Sequence, residues 1–171
     1  MIEISKLSRQ YMTQSLSASN VDDIVGLCQQ NTVFYKYTEA PPTRENILYD
    51  MNAKPPGIDT SDKYYFGFYD GASLIAIMDL IDGYPEKDIA YIGFFMVDLK
   101  YQGKQIGSSI IGEVICYLRT IGKTAVRLAI DKGNPQSTHF WMKNGFGVIK
   151  EADVNGWTKL VAEKSLKEGS A

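Results

Sequence analysis

The sequence predicts an α/β (α+β) fold in which a mixed, mostly antiparallel central sheet of about seven strands is flanked by about four helices. The first observation is a meander of apolar runs in the middle of the chain, which indicates antiparallel strands joined by tight turns. The second is an apolar strand that leads through a short polar turn into a helix and is followed by another strand. A sheet with both kinds of connection carries helices on its faces.

Length and composition fit one domain over residues 1–171, because a chain with 44% hydrophobic and 22% charged residues can bury a proper core. We expect residues 1–9 and 164–171 to be peripheral and the tail to fray from Lys164. A net charge of −2 argues against a nucleic-acid partner, which requires clustered Lys and Arg. Residues 1–18 lack a signal-peptide pattern, and no apolar run has membrane-spanning length. We therefore expect a cytoplasmic protein without a membrane partner.

Each element follows from a local pattern along the chain. The predicted strands cover residues 11–16, 64–69, 73–81, 89–97, 124–130, 147–149 and 157–162. Ser19 and Asn20 are good N-caps for a first helix at about 20–30, and Thr43 caps a second. A third helix from Gly107 would bury five residues that recur with helical spacing. These are Ile110, Ile111, Val114, Ile115 and Leu118. Asn134 followed by a proline begins a fourth helix.

The cysteines and the histidine content bear on metal binding. Cys28 and Cys116 both occupy apolar positions of predicted helices, so we expect two buried free thiols rather than a disulfide. The chain has one histidine and no Cys/His cluster, and we therefore expect no metal site.

The junction between the strand at 89–97 and the third helix carries the chemistry. The first N–H groups of a helix have no intrahelical acceptor, and the macrodipole adds partial positive charge there. Gln102 adds a side-chain donor, Lys104 a positive charge and Ser108 a hydroxyl. The junction is thus predicted to bind a phosphate or a diphosphate.

Two familiar phosphate loops do not match. A P-loop requires Ser or Thr after its Gly-Lys pair, and here Gly103-Lys104 is followed by Gln105. The dinucleotide fingerprint requires G-x-G-x-x-G followed by a second strand with an acidic residue in a repeating strand-helix series, and the chain lacks both the glycine pattern and such a series.

The stretch from Gln102 to Gly107 resembles motif A of the GCN5-related N-acetyltransferases (GNAT), Gln/Arg-x-x-Gly-x-Gly/Ala. Gln105 departs from it, since the family has its first motif glycine there. Downstream, the chain resembles motif B of the same family: an asparagine, a small residue, an aromatic pair, a basic residue and Gly-Phe. The matching residues are Asn134, Ser137, Phe140, Trp141, Lys143, Gly145 and Phe146. The resemblance covers residues 64–146 well.

The resemblance implies a GNAT-like fold and a function as an N-acetyltransferase. Acetyl-CoA would be the co-substrate, and a primary amine of a small molecule or a peptide would attack it directly, without a covalent enzyme intermediate. The implied cofactor-binding residues are Phe95, Met96, Val97, Gln102, Gly103, Lys104, Gln105, Ile106, Gly107, Ser108, Asn134, Trp141 and Lys143. The first three would use their main chain.

The usual proton-handling residues of the family are missing. Trp141 stands where many members have a tyrosine, and Ala129 and Tyr91 stand at positions where others carry a glutamate. The remaining candidates are Tyr91 and Asp79 for catalysis, and Tyr37 and Glu39 for binding the acceptor. Two alternatives stay open: a module that binds a CoA ester with little or no catalysis, and a transferase that uses a different acyl-CoA. A homodimer also stays open.

Overall fold

The computed structural model describes residues 1–169 and confirms the predicted fold class. Its strands are β1 (Met12–Ser15), β2 (Lys63–Asp70), β3 (Ser73–Asp82), β4 (Ile89–Val97), β5 (Ala125–Asp131), β6 (Gly147–Val154) and β7 (Trp157–Ser165). Its α-helices are α1 (Val21–Gln29), α2 (Arg44–Asn52), α3 (Ile106–Thr120) and α4 (Pro135–Lys143). In this part of the chain, no helix is both long and apolar enough to cross a membrane.

The strands form one sheet in the order β1-β2-β3-β4-β5-β7-β6. The β4–β5 pair is parallel, because α3 crosses over between the two strands, and the other neighbours are antiparallel. The parallel pairing joins only Ile89–Ile92 to Ala125–Leu128, whereas β4 continues to pair with β3 up to Val97. The last residues of β4 therefore diverge from β5 and leave a wedge in the sheet.

The two faces of the sheet carry separate clusters of buried side chains. One cluster includes the inner face of α3, where the five predicted residues are all buried. The other includes Val21, Ile24, Leu27 and Cys28 of α1 and Ile47 of α2. Burying one such aliphatic side chain stabilises a fold by about 1.5–3 kcal/mol, so these faces hold α1 and α3 against the sheet.

Both chain ends contribute to the core, which corrects the prediction that they are peripheral. Ile2 and Leu7 are 3% and 0% exposed, and Leu166 is 2% exposed. The tail does not fray at Lys164, because β7 pairs with β5 as far as Ser165 and the main chain of Leu166 donates to Thr124. The local sequence of the tail does not indicate that it pairs with a strand so far away in the chain.

The two cysteines differ. Cys28 is buried, as predicted, and burial raises its pKa to about 11. Cys116 is exposed, so its predicted burial is wrong. It directly follows the buried Ile115, and a step of one residue rotates a side chain by about 100° around a helix, which carries it off the inner face.

Candidate functional site

Two cavities meet at the wedge between β4 and β5. The helix-side cavity, of about 300 Å³, is bounded by Val97, Gly103, Gly107, Phe140 and Lys143. The sheet-side cavity, of about 460 Å³, is bounded by Glu39, Asp79, Tyr91, Ala129 and Lys159. Both are lined by Phe34, Phe95, Ser137 and Trp141. Two molecules bound in the two cavities would therefore meet at this shared wall.

The N-terminus of α3 opens onto the helix-side cavity without a side-chain cap. Thr43 caps α2 by accepting from Asn46 N, and Asn134 caps α4 by accepting from Ser137 N. Gln105 takes the same position in α3, but its side chain makes no such bond. The four N–H groups of residues 105–108 thus lack intrahelical acceptors, and all four residues line the cavity. This is the arrangement that binds an anion at a helix N-terminus.

Gly107 lies in a tight contact between α3, β4 and α4. A Cβ atom at this position would lie 3.1 Å from Phe140 Cε2 and 3.3 Å from Val97 Cγ2. Both distances are at the tight end of van der Waals contact, so α3 is packed directly on β4 and α4 here. The missing side chain also leaves the main chain of this turn open to a ligand.

Gln105 adopts the left-handed conformation, with φ 61° and ψ 9°. This explains why a glycine suits the position, because a residue with a Cβ atom pays roughly 1–2 kcal/mol in this region. The departure from motif A therefore costs stability and leaves the turn itself intact.

We expect Gln105→Gly to raise the free energy of unfolding by about 1 kcal/mol, since the relief of strain outweighs the added entropy of the unfolded chain. Urea denaturation measures the change. Lys104→Gly is the matched control, since Lys104 does not have a positive φ, and we expect it to destabilise by about 0.5–1 kcal/mol. Equal effects of the two substitutions would show that Gln105 is not strained.

Gln102 lines the helix-side cavity, but its amide donors are taken up within the protein, which corrects its predicted role as an anion donor. Its Nε2 donates to Val97 O at 2.8 Å and to the side chain of Asn31. Asn31 is buried and donates from Nδ2 to Leu27 O at 3.0 Å and to Val97 O at 3.3 Å. The two amides thus tie the end of β4 to α1. Sequence reasoning missed Asn31, whose partner lies 66 residues away.

The main chain at the end of β4 presents alternate residues to the wedge. Asp98 N donates to Ile75 O at 2.8 Å, in register with the β3–β4 ladder. Hydrogen-bonded pairs alternate along antiparallel strands, so the main chain of Met96 is directed to β3 and that of Phe95 and Val97 to the wedge. This geometry favours Phe95 and Val97 over Met96 for main-chain contacts with a ligand, although Met96 also lines the helix-side cavity and belongs to the buried cluster beside α1.

The side chain of Asn134 serves α4 and does not line either cavity. The residue is 1% exposed, its Oδ1 accepts from Ser137 N at 3.1 Å, and its Nδ2 donates to Ser137 Oγ at 3.2 Å. Ser137, which lines both cavities, was not among the predicted site residues. The signal for it was present, because a hydroxyl stands at the small-residue position of motif B.

The other predicted residues of α4 and of the α3 loop form the wall and the rim. Trp141 is buried, with its ring centroid 6.1 Å from that of Phe95 and 5.0 Å from that of Phe140. Lys143 is exposed and lines the helix-side cavity, where its Nζ lies 5.6 Å from the centre of the Phe140 ring. Lys104 is exposed on an adjoining groove beside Ile106 and Ser108. The rim of the helix-side cavity is therefore basic.

Asp79 forms a buried ion pair beside the sheet-side cavity. Its Oδ2 lies 2.7 Å from Lys63 Nζ, and the two side chains are 12% and 4% exposed. Its Oδ1 is buried and has no hydrogen-bond partner. Burial raises the pKa of Asp79, and the attraction of Lys63 opposes this shift. Gly93 makes room for the carboxylate, because a Cβ atom there would lie 2.7 Å from Oδ2.

Of the three other residues predicted for catalysis or acceptor binding, two line the sheet-side cavity. Tyr91 lines it and makes an edge contact with Tyr84, at 5.3 Å between ring centroids. Burial raises the pKa of Tyr91 to about 12, so its phenol stays protonated at neutral pH. Glu39 also lines this cavity, whereas Tyr37 lines neither of the two. Tyr91 is thus suited to donate a hydrogen bond rather than to act as a base.

Comparison with known proteins relates the chain to one family. The sequence model of the Acetyltransferase (GNAT) family matches residues 26–146. The mycothiol acetyltransferase of Propionibacterium freudenreichii subsp. shermanii is 28% identical over 68 residues, or 40% of this chain. The aligned segment spans only 21% of that curated relative.

Solved structures share the fold along most of the chain. An acetyltransferase from Thermus thermophilus aligns with a TM-score of 0.73 at 16% identity, over 91% of this chain and 97% of its own. PaiA N-acetyltransferase from Thermoplasma acidophilum, solved in complex with coenzyme A, aligns with a TM-score of 0.64 at 17% identity, over 91% and 98%. Identities this low establish the fold alone.

Proposed function

The chain belongs to the acetyltransferase (GNAT) family, and from this membership we propose that it transfers the acetyl group of acetyl-CoA to a primary amine by direct attack. The observation that carries the proposal is the uncapped N-terminus of α3, whose first N–H groups line a cavity that ends at the wedge between β4 and β5. An anion-binding turn and free strand main chain, side by side, suit a ligand with a diphosphate at one end and an amide-containing arm at the other.

The helix-side cavity would hold the CoA portion. The N–H groups of residues 105–108 would bind the diphosphate, with Lys143 and Lys104 adding positive charge at the rim. The main chain of Phe95 and the N–H group of Val97 would bond the extended arm and polarise the thioester oxygen as an oxyanion hole does, since the Val97 carbonyl already accepts from Gln102 and Asn31. Acetyl-CoA supplies an activated acyl group, so the protein needs no nucleophilic side chain of its own.

The reaction transfers protons in the region shared by the two cavities. The amine attacks in its neutral form, so an acceptor that binds as an ammonium first releases one proton to solvent. As the nitrogen–carbon bond forms and the carbon–sulfur bond breaks, a second proton leaves the nitrogen and one reaches the sulfur.

Ser137 is placed to supply the proton that reaches the sulfur, because its oxygen accepts from Asn134 and, within residues 1–169, its hydroxyl proton has no acceptor. We assign it as the donor to the departing thiolate, and solvent returns a proton to the serine oxygen as it donates. Asp79, one of four carboxylates that line the sheet-side cavity, would draw the proton from the amine by way of water, because its Oδ2 is bonded to Lys63 and its Oδ1 is enclosed.

We expect Ser137→Ala to lower kcat by about 10- to 100-fold, at the lower end of what a general acid contributes because water can replace it in part. The KM for acetyl-CoA should stay within about twofold, since the diphosphate contacts are unchanged. Steady-state kinetics at saturating amine gives both values. Thr138→Val is the matched control, because the Thr138 hydroxyl donates to Asn134 O and lines neither cavity. Equal losses in both variants would contradict the role of Ser137.

Amine-dependent release of free thiol from acetyl-CoA tests the proposed function. A panel of amines is screened in parallel with thermal unfolding, because any ligand that binds the native state raises Tm. Release of thiol that requires an amine supports the transferase. A higher Tm without thiol release would instead indicate a CoA-ester-binding module, and faster release from propionyl-CoA or succinyl-CoA would indicate a different acyl donor.

A further inference from the structure

The sheet-side cavity is acidic. Its wall includes the four carboxylates of Glu39, Asp50, Asp79 and Asp131. Among residues 1–169, Lys159 is the one basic side chain in this wall, and its ammonium is bonded to Asp131. Lys63, behind the wall, is bonded to Asp79. The negative charge that remains after these two pairs comes from Glu39 and Asp50. A cation entering here meets carboxylates, and an anion meets no cation that lacks a partner.

The same cavity has aromatic walls. Phe34 and Phe94 meet edge to face with ring centroids 5.9 Å apart, and Phe95 and Trp141 contact each other at 6.1 Å. Tyr91 adds a further ring. The aromatic ring of a ligand can pack against the faces and edges of these side chains. An ammonium group is attracted to the faces of the rings. The walls thus offer apolar contact beside the carboxylates.

One carboxylate oxygen of this site lacks a donor. Asp79 Oδ1 is buried without a hydrogen-bond partner, although Oδ2 is bonded to Lys63. A buried carboxylate oxygen without a donor is costly, and here it adds negative potential beside the cavity while it stays enclosed in the protein. Gly93 lines the same cavity on the side of the other oxygen, since a Cβ atom there would lie 2.7 Å from Oδ2.

We propose that the acceptor is an arylalkylamine, that is, a primary amine joined by a short alkyl chain to an aromatic ring and carrying no carboxylate. The ring packs among Phe34, Phe94 and Trp141, and the ammonium lies towards Glu39 and Asp50, the two carboxylates of the wall that are left after the ion pairs. This inference rests on the proposed function and specifies its acceptor. The opposite charges of the two cavities support it, since the basic rim attracts the phosphates of CoA and the acidic wall attracts the amine.

The absence of a carboxylate from the acceptor is the sharpest part of this inference. In L-phenylalanine, the α-carboxylate would lie next to the amine and therefore close to Glu39 and Asp50. Like charges placed together in a partly desolvated site are strongly unfavourable. 2-Phenylethylamine differs from L-phenylalanine by this one group, so the two compounds isolate its effect.

The test uses the full chain and two readouts. We expect kcat/KM for 2-phenylethylamine to exceed that for L-phenylalanine, n-butylamine and spermidine by at least about tenfold each. Independently of turnover, 2-phenylethylamine added to the protein with CoA should raise Tm further, and L-phenylalanine should not. Preference for L-phenylalanine, spermidine or a peptide N-terminus would overturn the inference. The proposed acetyltransferase function would be unaffected by that outcome. No rise in Tm with acetyl-CoA and no thiol release with any amine would instead count against the proposed function.

A pair of variants on α2 tests the charge directly. Asp50→Asn should lower kcat/KM for 2-phenylethylamine by about tenfold and narrow its advantage over L-phenylalanine, with the KM for acetyl-CoA unchanged. Glu45→Gln removes the same charge from the same helix but lines neither cavity, so it should preserve the preference. An unchanged preference in Asp50→Asn would show that this carboxylate does not select the acceptor.

Discussion

Gly107→Glu is expected to abolish the stabilisation of the protein by acetyl-CoA, with affinity falling by at least about 100-fold. The new carboxylate would lie at the four free N–H groups of α3 and compete with the diphosphate for them. Its Cβ atom would also press on Phe140 and Val97, at 3.1 and 3.3 Å. Isothermal titration with acetyl-CoA measures the loss, and the Tm shift at fixed ligand concentration provides a second measure.

Gly112→Glu is the control for this change. Gly112 lies on the same helix, is exposed, and has no atom within 4 Å of a Cβ atom built on it. The substitution therefore adds the same charge without touching the helix-side cavity, and we expect affinity for acetyl-CoA within about twofold of the original. Retained binding in Gly107→Glu would show that α3 is not the diphosphate site. Comparison with S-acetylpantetheine, which lacks the diphosphate, gives a further check because its binding should be nearly insensitive to the substitution.

Lys63→Met should destabilise the protein by about 3–5 kcal/mol, because it leaves the Asp79 carboxylate buried without its cation. The loss depends on pH in a defined direction. Burial already raises the pKa of Asp79, and removal of Lys63 raises it further, so the native state binds a proton more tightly than the unfolded state does. The variant therefore loses stability as pH rises from about 4 towards that raised pKa, and regains it at acid pH where the carboxyl is neutral. Urea denaturation between pH 4 and pH 8 measures this.

The double variant Lys63→Met/Asp79→Leu separates the ion pair from general damage to the core. Replacing both partners by apolar groups of similar size is often close to neutral, so we expect it to recover most of the lost stability. If the double variant were as unstable as Lys63→Met alone, the loss would come from packing around residue 63 and not from the orphaned charge.

The sequence predicted those helices and strands whose formation depends on residues close together in the chain. The five buried positions of α3 follow from helical spacing, and the cap of α4 follows from Asn134 and the proline after it, because the physics of both lies within one or two turns. The strand at 89–97 also agrees with β4 in both limits, since a continuous apolar run bounded by polar turns specifies it.

The contacts that shape the site depend on register and could not be predicted. Gln102 uses its amide to bond Asn31, which is 71 residues distant, and Lys63 contacts Asp79 only because β2 and β3 pair as they do. Gly93 is needed because of a bulge that brings it against Asp79, and its own neighbours in the sequence do not signal this. Spacing along the chain carries no information on such pairs.

The short parallel contact between β4 and β5 has a consequence for how the protein unfolds. The strands β1–β4 and β5–β7 form two halves of the sheet that are joined by four residue pairs, and parallel pairs are slightly weaker than antiparallel ones. A molecule that touches both Phe95 of β4 and Ser137 of α4 bridges the two halves. Since one buried cluster also spans both halves, we expect occupancy of the site to add to their coupling, which hydrogen exchange of β4 and β5 with and without coenzyme A would measure.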